Sequence, residues 1–408
     1  MALEVDPLMS QSEAPALDTG TYRSFTPDLG SHRLVPLTPR SEPPKRPAIR
    51  RGGGRVLVVS ATVGQGHEGA ARELARRLRH QGLTVDVHDY LDALSRPARG
   101  LLRDLYRPTV QYAPPLFDQL FRSLEHEGVV RAVAHRLIAA AEEDVLQWSR
   151  CADLVVTTYP FAGQTLGRLR ENGRLAVPAV TYLTDPAAHA LWCHSAVDHH
   201  LTVTRATAQD AARYGVAAEA AGPLCSPGFG VSQRSSREVR AELGLPEDAP
   251  VVLLSAGSLG MGDIPRTVTD VLRHPQARVV VLCGHNEALR RRLERKERVV
   301  ALGWRTDVAD LMAAAHLLVH NAGGLSLTEA LVVGLPALTY RPIPGHGRAN
   351  AATLEQAGLA LWPRDVDGLV GAIDQAMWAG RGRRVEPWHP GADPAAAVRG
   401  LLTRARAA

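Results

Sequence analysis

The sequence HNAGGLSLTEA, residues 320–330, indicates more about the architecture of this chain than any other stretch. It follows an apolar run at residues 315–319 and leads into a helical pattern, which predicts a strand, a glycine turn and a helix. Glycines at such a turn let backbone N–H groups approach a phosphate at the helix N-terminus. Glu329 falls about one turn inside the helix, where its carboxylate can accept hydrogen bonds from the vicinal hydroxyls of a ribose. The stretch suggests a nucleotide site, although a Gly-Gly turn is equally typical of a tight connection.

A similar pattern lies near the start of the predicted folded region. Residues 55–60 (RVLVVS) read as a buried parallel strand, and residues 61–67 (ATVGQGH) turn directly into a helical pattern. The turn lacks the third glycine of a dinucleotide fingerprint and ends in His67, so it points away from NAD. A histidine at this position is also typical of a helix cap or a surface site.

Short apolar runs alternate with longer helical stretches along the rest of the chain. Strands are predicted at residues 55–60, 84–88, 154–158, 178–182, 200–204, 251–255, 278–282, 299–302 and 317–319. Strands alternating with helices indicate parallel sheets that are covered on both faces. Because the strands form two series and 408 residues can bury two cores, we expect an α/β fold with two doubly wound domains.

The domain limits follow from composition. Residues 1–52 are rich in Pro, Ser, Glu and Arg, and we expect a disordered tail because they bury little apolar surface. Prolines and glycines at residues 222–228 break both strand and helix, so the first domain is predicted at residues 53–224 and the second at 225–385. Residues 386–408 are expected to form a C-terminal helix.

Net charge, cysteine spacing and the length of apolar runs limit the classes of binding partner and the cellular compartment that we expect. A formal charge of +5 suits an anionic partner such as a nucleotide or an acidic lipid surface, and no RNA-binding or zinc-finger motif suggests nucleic acid. The four cysteines are scattered, which predicts reduced thiols. No signal peptide or apolar run of about 20 residues is present, so we expect a cytoplasmic protein that is soluble or peripheral to a membrane.

The glycine motifs together resemble a known family. Residues 320–330, with RPIPGHGRAN at residues 341–350, resemble the donor-binding motif of the glycosyltransferases that include monogalactosyldiacylglycerol synthases and the N-acetylglucosaminyltransferase that makes lipid II. The G-x-G-H turn at residues 64–67 resembles the N-terminal loop of the same family. The resemblance spans residues 55–365 and implies two Rossmann-like domains facing across a cleft (GT-B), with the C-terminal helix packing back on the first domain.

The resemblance also implies which residues bind a UDP-sugar. The loop after residue 255 would contact the diphosphate, the turn at residues 303–305 would lie beside the uracil, and the motif after residue 320 would hold the ribose. The predicted donor-binding residues are Gly257, Ser258, Gly260, Trp304, Arg305, Gly323, Gly324, Ser326, Glu329, Gly345, His346 and Asn350. An ordinary strand–helix turn remains the alternative for the first loop, and a core position the alternative for Trp304.

A third constellation follows the predicted strand at residues 178–182. Thr184 and Asp185 lie at the carboxyl end of that strand, where open α/β sheets bind ligands. By resemblance, the acceptor side comprises Gly64, Gly66, Trp192 and His194. Histidines at 189, 194, 199 and 200 suggest a metal as an alternative, but no helical ligand pair or carboxylate pattern accompanies them, so we expect no metal and no other cofactor.

The predicted mechanism is a single displacement at the anomeric carbon of the donor sugar. The family is inverting, which implies a β-glycoside and no covalent enzyme intermediate. His67 is the first candidate for the base that takes the acceptor proton, because imidazole titrates near physiological pH. Asp185 is the second candidate, or the group that orients His67.

The sugar and the acceptor stay open. Residues 346–348 (HGR) stand where the family usually carries Gln or Glu to read sugar hydroxyls, so galactose, glucose and N-acetylglucosamine all remain possible. Between residues 96 and 112, an arginine face beside leucines fits a helix lying on anionic lipid, or a solvated charged face. The preferred prediction is a hexosyltransferase acting on a lipid such as diacylglycerol, at the inner face of the membrane. A transferase for a soluble natural product, a UDP-sugar epimerase and a noncatalytic UDP-sugar sensor are the alternatives.

Overall fold

The structure, a computed structural model, describes residues 53–104, 106–230, 232–379, 389 and 391–407. The tail predicted at residues 1–52 lies outside the described residues. Everything described belongs to one unit of the chain, Glu42–Ala408, which contains both predicted domains.

The first domain is built on a sheet of six parallel strands in the order β2-β1-β3-β4-β5-β6. The strands are β1 (Arg55–Ser60), β2 (Thr84–Asp89), β3 (Leu154–Thr157), β4 (Ala179–Leu183), β5 (His199–Thr202) and β6 (Ala218–Ala220). The helices are α1 (Gln65–His80), α2 (Arg96–Asp104), α3 (Tyr106–Tyr112), α4 (Pro114–Ser123), α5 (Val129–Ala140), α6 (Glu142–Ser149), α7 (Pro160–Glu171) and α8 (Arg205–Ala211). Every residue of β3 and β4 is buried, as expected for strands covered on both faces.

The second domain has five parallel strands in the order β11-β10-β7-β8-β9. These are β7 (Val251–Ser255), β8 (Arg278–Leu282), β9 (Val299–Leu302), β10 (Leu317–His320) and β11 (Ala337–Thr339). The remaining helices are α9 (Ser236–Glu242), α10 (Ile264–Val271), α11 (Glu287–Leu293), α12 (Val308–Ala314), α13 (Leu325–Val333), α14 (His346–Gln356), α15 (Val366–Ala379) and α16 (Pro394–Ala407).

The prediction of two doubly wound α/β domains is confirmed. The sequence did not indicate β6 and β11, because three residues each give too little periodicity to detect. The predicted basic helical face at residues 96–112 is divided between α2 and α3, and residue 105 lies outside the description. Arg99 contributes no open charge to that face, because it pairs with Asp92 at 3.1 Å and bonds the Leu91 carbonyl at 3.0 Å.

The strand order fixes where each sheet can bind a ligand. The order of the first sheet reverses between β1 and β3, and that of the second sheet between β7 and β10. In open α/β sheets a crevice forms outside the carboxyl ends of the strands at such a reversal. The loops after Ser60, Thr157, Ser255 and His320 therefore border the expected sites.

Helix α16 completes the core of the first domain. Val398 and Leu402 pack in one cluster with Leu74 and Leu78 of α1. Two ion pairs frame this contact: Arg406 to Asp153 at 2.7 Å and Arg77 to Asp393 at 3.0 Å.

Candidate active site

A cavity of about 1310 Å³ opens between the carboxyl ends of the two sheets. Most of the predicted site residues line it: Gly64, Gly66, His67, Asp185, Gly257, Ser258, Trp304, Arg305, Gly323, Gly324, Ser326, Glu329 and His346. Its volume exceeds the roughly 300–1,000 Å³ of ordinary small-molecule pockets, so there is room for two ligands at once. Gly260, Gly345, Asn350, Trp192 and His194 lie outside its lining.

His67 has an imidazole whose two nitrogens are distinguished by their surroundings. Its Nδ1 lies 2.8 Å from the Thr158 carbonyl oxygen and 3.1 Å from the Thr184 hydroxyl oxygen. A carbonyl only accepts hydrogen bonds, so Nδ1 carries the proton and Nε2 of the neutral ring keeps a lone pair. The described hydrogen bonds of Nδ1 are thus with the Thr158 carbonyl and the Thr184 hydroxyl, whereas Asp185 acts on His67 through its charge.

The ionisation state of His67 suits a base. Burial lowers the pKa of this imidazole below its ordinary value, and the negative charge of Asp185 only partly opposes that effect. The ring lies edge-on to Tyr159, with ring centres 5.4 Å apart. A buried, neutral imidazole can accept a proton from a hydroxyl brought into the cavity.

Asp185 sits two residues beyond β4 and is held by both domains. Its Oδ2 accepts the Trp192 indole N–H at 2.9 Å, and Nδ2 of Asn350 in the second domain lies 3.5 Å from Oδ1. Burial alone would raise the pKa of Asp185. The nearby imidazoles of His346 and His67, among others, nevertheless hold that pKa below its ordinary value. Asp185 is therefore an ionised carboxylate at the interdomain boundary.

The two predicted acceptor-side aromatic residues serve different purposes. Trp192 is fully buried and contributes its indole N–H to Asp185 rather than a surface to the cavity. His194 lies outside the cavity because its ring packs against α7, where a Cβ added to Gly167 would come within 2.2 Å of the His194 Cγ. Of the four predicted residues on this side, the glycines 64 and 66 line the cavity.

The loop after β7 is shaped by close backbone packing. Gly260 has φ +59°, and an added Cβ would lie 2.8 Å from the Cys283 carbonyl oxygen, so a side chain there would displace the loop. The Ser258 carbonyl oxygen accepts the His285 N–H at 2.9 Å. Gly257 and Ser258 line the cavity, whereas Gly260 packs against Cys283 and lies outside the lining.

The turn between β10 and α13 lies beside that loop, because β10 pairs with β7 in the second sheet. The Gly323 N–H donates to Nδ1 of the buried His320 at 3.0 Å, and the Ser326 hydroxyl meets that of Ser255 at 2.9 Å. The first-turn N–H groups of a helix have no intrahelical acceptor, so the start of α13 can offer hydrogen-bond donors to an anion. Glu329 lines the cavity one turn further along, where burial raises its pKa to about 8.

Trp304 and Arg305 form an open edge of the site. Trp304 is 50% exposed and stacks on His285 with ring centres 4.6 Å apart, so it is not a core residue. Arg305 forms an ion pair with Asp307 at 2.5 Å, so its guanidinium is already engaged by a carboxylate of the protein.

Gly345, His346 and Asn350 join the two domains. The Gly345 N–H donates to Asp118 of α4 at 2.8 Å, and Asn350 Oδ1 accepts the Ala187 N–H at 2.9 Å. The His346 ring lies between the cavity and α4, with its centre 6.0 Å from that of Phe121. Burial lowers the pKa of His346, so this ring is also largely neutral.

One part of the cavity is apolar and was not located by the sequence. Its lining comes from α2, α4 and α5: Leu101, Leu102, Phe117, Leu120, Phe121, Leu124, Val130, Val133, Ala134 and Leu137. We call these residues the apolar arm. Leucines and phenylalanines spaced three and four apart in residues 117–124 indicate an amphipathic helix, but periodicity does not tell which surface that helix faces.

The described residues contain no cluster of side chains suited to bind a metal ion. Among them, no group of three or more His, Cys, Asp or Glu side chains could hold an ion. The four cysteines are free thiols. No helix in the described part of the chain is long and apolar enough to cross a membrane.

Two family models match this chain in succession. Residues 67–225 match the monogalactosyldiacylglycerol (MGDG) synthase family, and residues 258–377 match the glycosyl transferases group 1. A processive diacylglycerol beta-glucosyltransferase of Bacillus cereus (strain ATCC 14579) is 24% identical over 325 residues, covering 76% of this chain and 82% of that protein. The protein of the same name from Bacillus mycoides (strain KBAB4) is 24% identical over 327 residues, with the same coverage.

Solved structures share the fold. Acinetobacter baumannii MurG superposes with a TM-score of 0.54 at 17% identity, covering 86% of this chain and 99% of MurG. Arabidopsis thaliana UGT89C1 complexed with UDP gives a TM-score of 0.53 at 16% identity, covering 87% of this chain and all 100% of that one. With a match to MGDG synthase in its first half and to group 1 glycosyl transferases in its second, the chain is a glycosyltransferase with the GT-B fold.

Proposed function

We propose that this enzyme transfers a hexose from a UDP-sugar to the hydroxyl of a diacylglycerol lipid, with inversion at the anomeric carbon. The observation that carries the proposal is that one cavity combines the glycine loops of the second domain, the His67 imidazole and the apolar arm. The relatives named as diacylglycerol beta-glucosyltransferases support a lipid acceptor.

The donor occupies the half of the cavity formed by the second domain. The first-turn amides of α13 and the loop at Gly257 and Ser258 surround the diphosphate, where N–H donors and the helix dipole favour negative charge. Glu329 accepts hydrogen bonds from the ribose hydroxyls. His346 completes the sugar side, and Asn350, which lies outside the cavity lining, links this side to Asp185.

The acceptor occupies the half formed by the first domain. Its acyl chains lie along the apolar arm, which brings the hydroxyl to His67. Nε2 of His67 takes the hydroxyl proton as the oxygen forms a bond to the anomeric carbon. The bond between that carbon and the diphosphate oxygen breaks, and UDP leaves with the electron pair, stabilised by the amides of the donor loops.

The same helices form the surface from which the lipid enters. Exposed apolar side chains on α3, α4 and α5 are Tyr112 (84% exposed), Leu116 (51%), Val129 (80%) and Val133 (40%). Arg122 and Arg136 are exposed on the same helices. Apolar side chains flanked by arginines suit shallow insertion into an anionic lipid surface. We therefore propose peripheral membrane association through α3–α5.

The test is UDP release from UDP-glucose, UDP-galactose and UDP-N-acetylglucosamine, with vesicles that contain or lack diacylglycerol. We expect release with one donor only when diacylglycerol is present, and faster release when the vesicles also contain an anionic phospholipid. The product should be a β-glycoside by NMR. Binding of a UDP-sugar without lipid-dependent release would contradict the proposal and favour a soluble acceptor, epimerisation or a sensor. An α-glycoside would contradict inversion.

A further inference from the structure

Helix α4 of the first domain makes a polar contact with the donor half of the site. Asp118 accepts the Gly345 N–H at 2.8 Å, although 227 positions separate the two residues. The Asp118 side chain is only 16% exposed, and its second oxygen lies 3.6 Å from Nη1 of Arg348, which also belongs to the second domain. A hydrogen bond to a charged acceptor is stronger than one between neutral groups.

The turn that Asp118 holds is constrained in its backbone. Gly345 has φ +68° and ψ −119°, a conformation that other residues rarely adopt. An added Cβ would lie 3.0 Å from the Cβ of Phe121 and 3.1 Å from Cε1 of Phe117, so the turn is pressed directly against α4. The next residue, His346, lines the cavity.

A second contact of the same kind lies nearby. Oε1 of Gln111, in α3, accepts the Gly262 N–H at 3.1 Å. Helices α3 and α4 thus hold two backbone amides of the second domain, while Phe117 and Phe121 line the apolar arm. One helix therefore contacts both the acceptor half of the cavity and the turn that carries His346.

We propose that Asp118 is a positioning residue for the sugar of the donor. Its carboxylate fixes the Gly345 turn and thereby presents His346 to the hexose, so that sugar binding depends on the position of α4. The inference rests on the proposed function only for the identity of the donor. It concerns the sugar and not the nucleotide, because Asp118 contacts neither the loop after β7 nor the turn before α13 in the described contacts.

The experiment compares the affinities for UDP and UDP-glucose, or whichever UDP-sugar the wild-type enzyme uses, by calorimetry without lipid. For Asp118→Ala we expect UDP-sugar affinity to fall about tenfold and UDP affinity to change less than about twofold. Asp118→Asn keeps an acceptor oxygen and should recover part of the loss. The matched control is Gln119→Ala, at an exposed position of α4 next to Asp118 that lies outside the cavity lining.

Several results would overturn the inference. Equal losses for UDP and UDP-sugar in Asp118→Ala would mean that the variant disturbs the whole donor half. Equal effects of Asp118→Ala and Gln119→Ala would attribute the change to the stability of α4, and an unchanged UDP-sugar affinity would leave Asp118 without a role. Because these titrations contain no acceptor, failure of the lipid assay would reject the proposed acceptor without affecting this comparison.

Discussion

His67, the proposed base, illustrates how main-chain geometry can orient a side chain and set its tautomer. The Thr158 carbonyl fixes the tautomer, and burial keeps the ring neutral. No sequence motif encodes this, since any residue at position 158 supplies a carbonyl. The sequence could identify the histidine from its glycine turn, but the group that orients it became visible only when β3 was set beside β1.

Replacement of His67 by Ala is expected to lower kcat by about 10²–10⁴-fold, because the acceptor proton then has no positioned base. UDP affinity should stay close to that of the wild type, since the donor loops are unchanged. Steady-state kinetics and calorimetry with UDP measure the two quantities. His126→Ala, which alters an exposed histidine outside the cavity, is the control. Equal losses of turnover and UDP affinity would make His67 a donor-binding residue.

The pH dependence of wild-type activity also tests whether His67 is the base. A base acts only when it is deprotonated, so activity falls as pH drops through the pKa of His67 in the folded enzyme. Burial lowers that pKa below its ordinary value of 6.5, so the acid limb of kcat, measured at saturating UDP-sugar to exclude the titration of Glu329, should lie below pH 6.5. An acid limb above pH 7 would contradict this assignment.

Glu329 should couple donor binding to proton release. Its pKa is raised to about 8 by burial, so much of it is protonated at neutral pH, whereas ribose hydroxyls are best accepted by the ionised form. We expect UDP affinity to rise between pH 7 and pH 9 in the wild type. Glu329→Gln should bind UDP about tenfold more weakly at pH 9 and lose this dependence.

Calorimetry at several pH values measures both effects. Glu355→Gln is the control, because Glu355 lies in the same domain but pairs with Arg364 outside the cavity. An identical pH dependence in the Glu329 variant and the wild type would exclude Glu329 from ribose binding.

Among the secondary-structure elements, α2 to α6 show the limit of sequence-based reasoning. Strand-helix alternation predicts where β1, β3, β7 and β10 lie and hence the glycine loops at their carboxyl ends. The helices between β2 and β3 follow no such rule, because their positions are set by tertiary contacts such as the Asp118 to Gly345 bond. The sequence therefore could not predict that helices from this region form the apolar arm of the cavity.

Helix α16 carries a stability prediction. Leu402 is 3% exposed within the core of the first domain, so Leu402→Ala should lower the free energy of unfolding by about 2–5 kcal/mol. Leu361→Ala, at a position that is 50% exposed, should change it by less than about 0.5 kcal/mol. Urea denaturation measures both. Equal, small effects would mean that α16 contributes little to that core.

At the scale of the whole molecule, the two domains can be predicted from the sequence, whereas the contacts between them are seen only in the folded structure. Two parallel sheets and their glycine loops follow from periodicity and turn composition. The relation between the halves depends on single contacts, such as Asn350 to Ala187, whose partners lie far apart in the chain. Local patterns cannot specify such pairs, so the sequence indicated the glycine loops of both sheets but neither the apolar arm nor the contacts that join the domains.

The contact between Gly222 and the segment before α16 has a consequence for protein engineering. A Cβ added to Gly222 would lie 2.9 Å from the Ala392 carbonyl oxygen, so the chain leaves the first domain and returns to it at nearly the same point. The donor domain is thus an insertion whose two ends meet, an arrangement that tolerates exchange. On the proposed function, exchanging the second domain for that of a relative is expected to transfer the relative's sugar choice only where the contact between Asp118 of α4 and the Gly345 turn is kept.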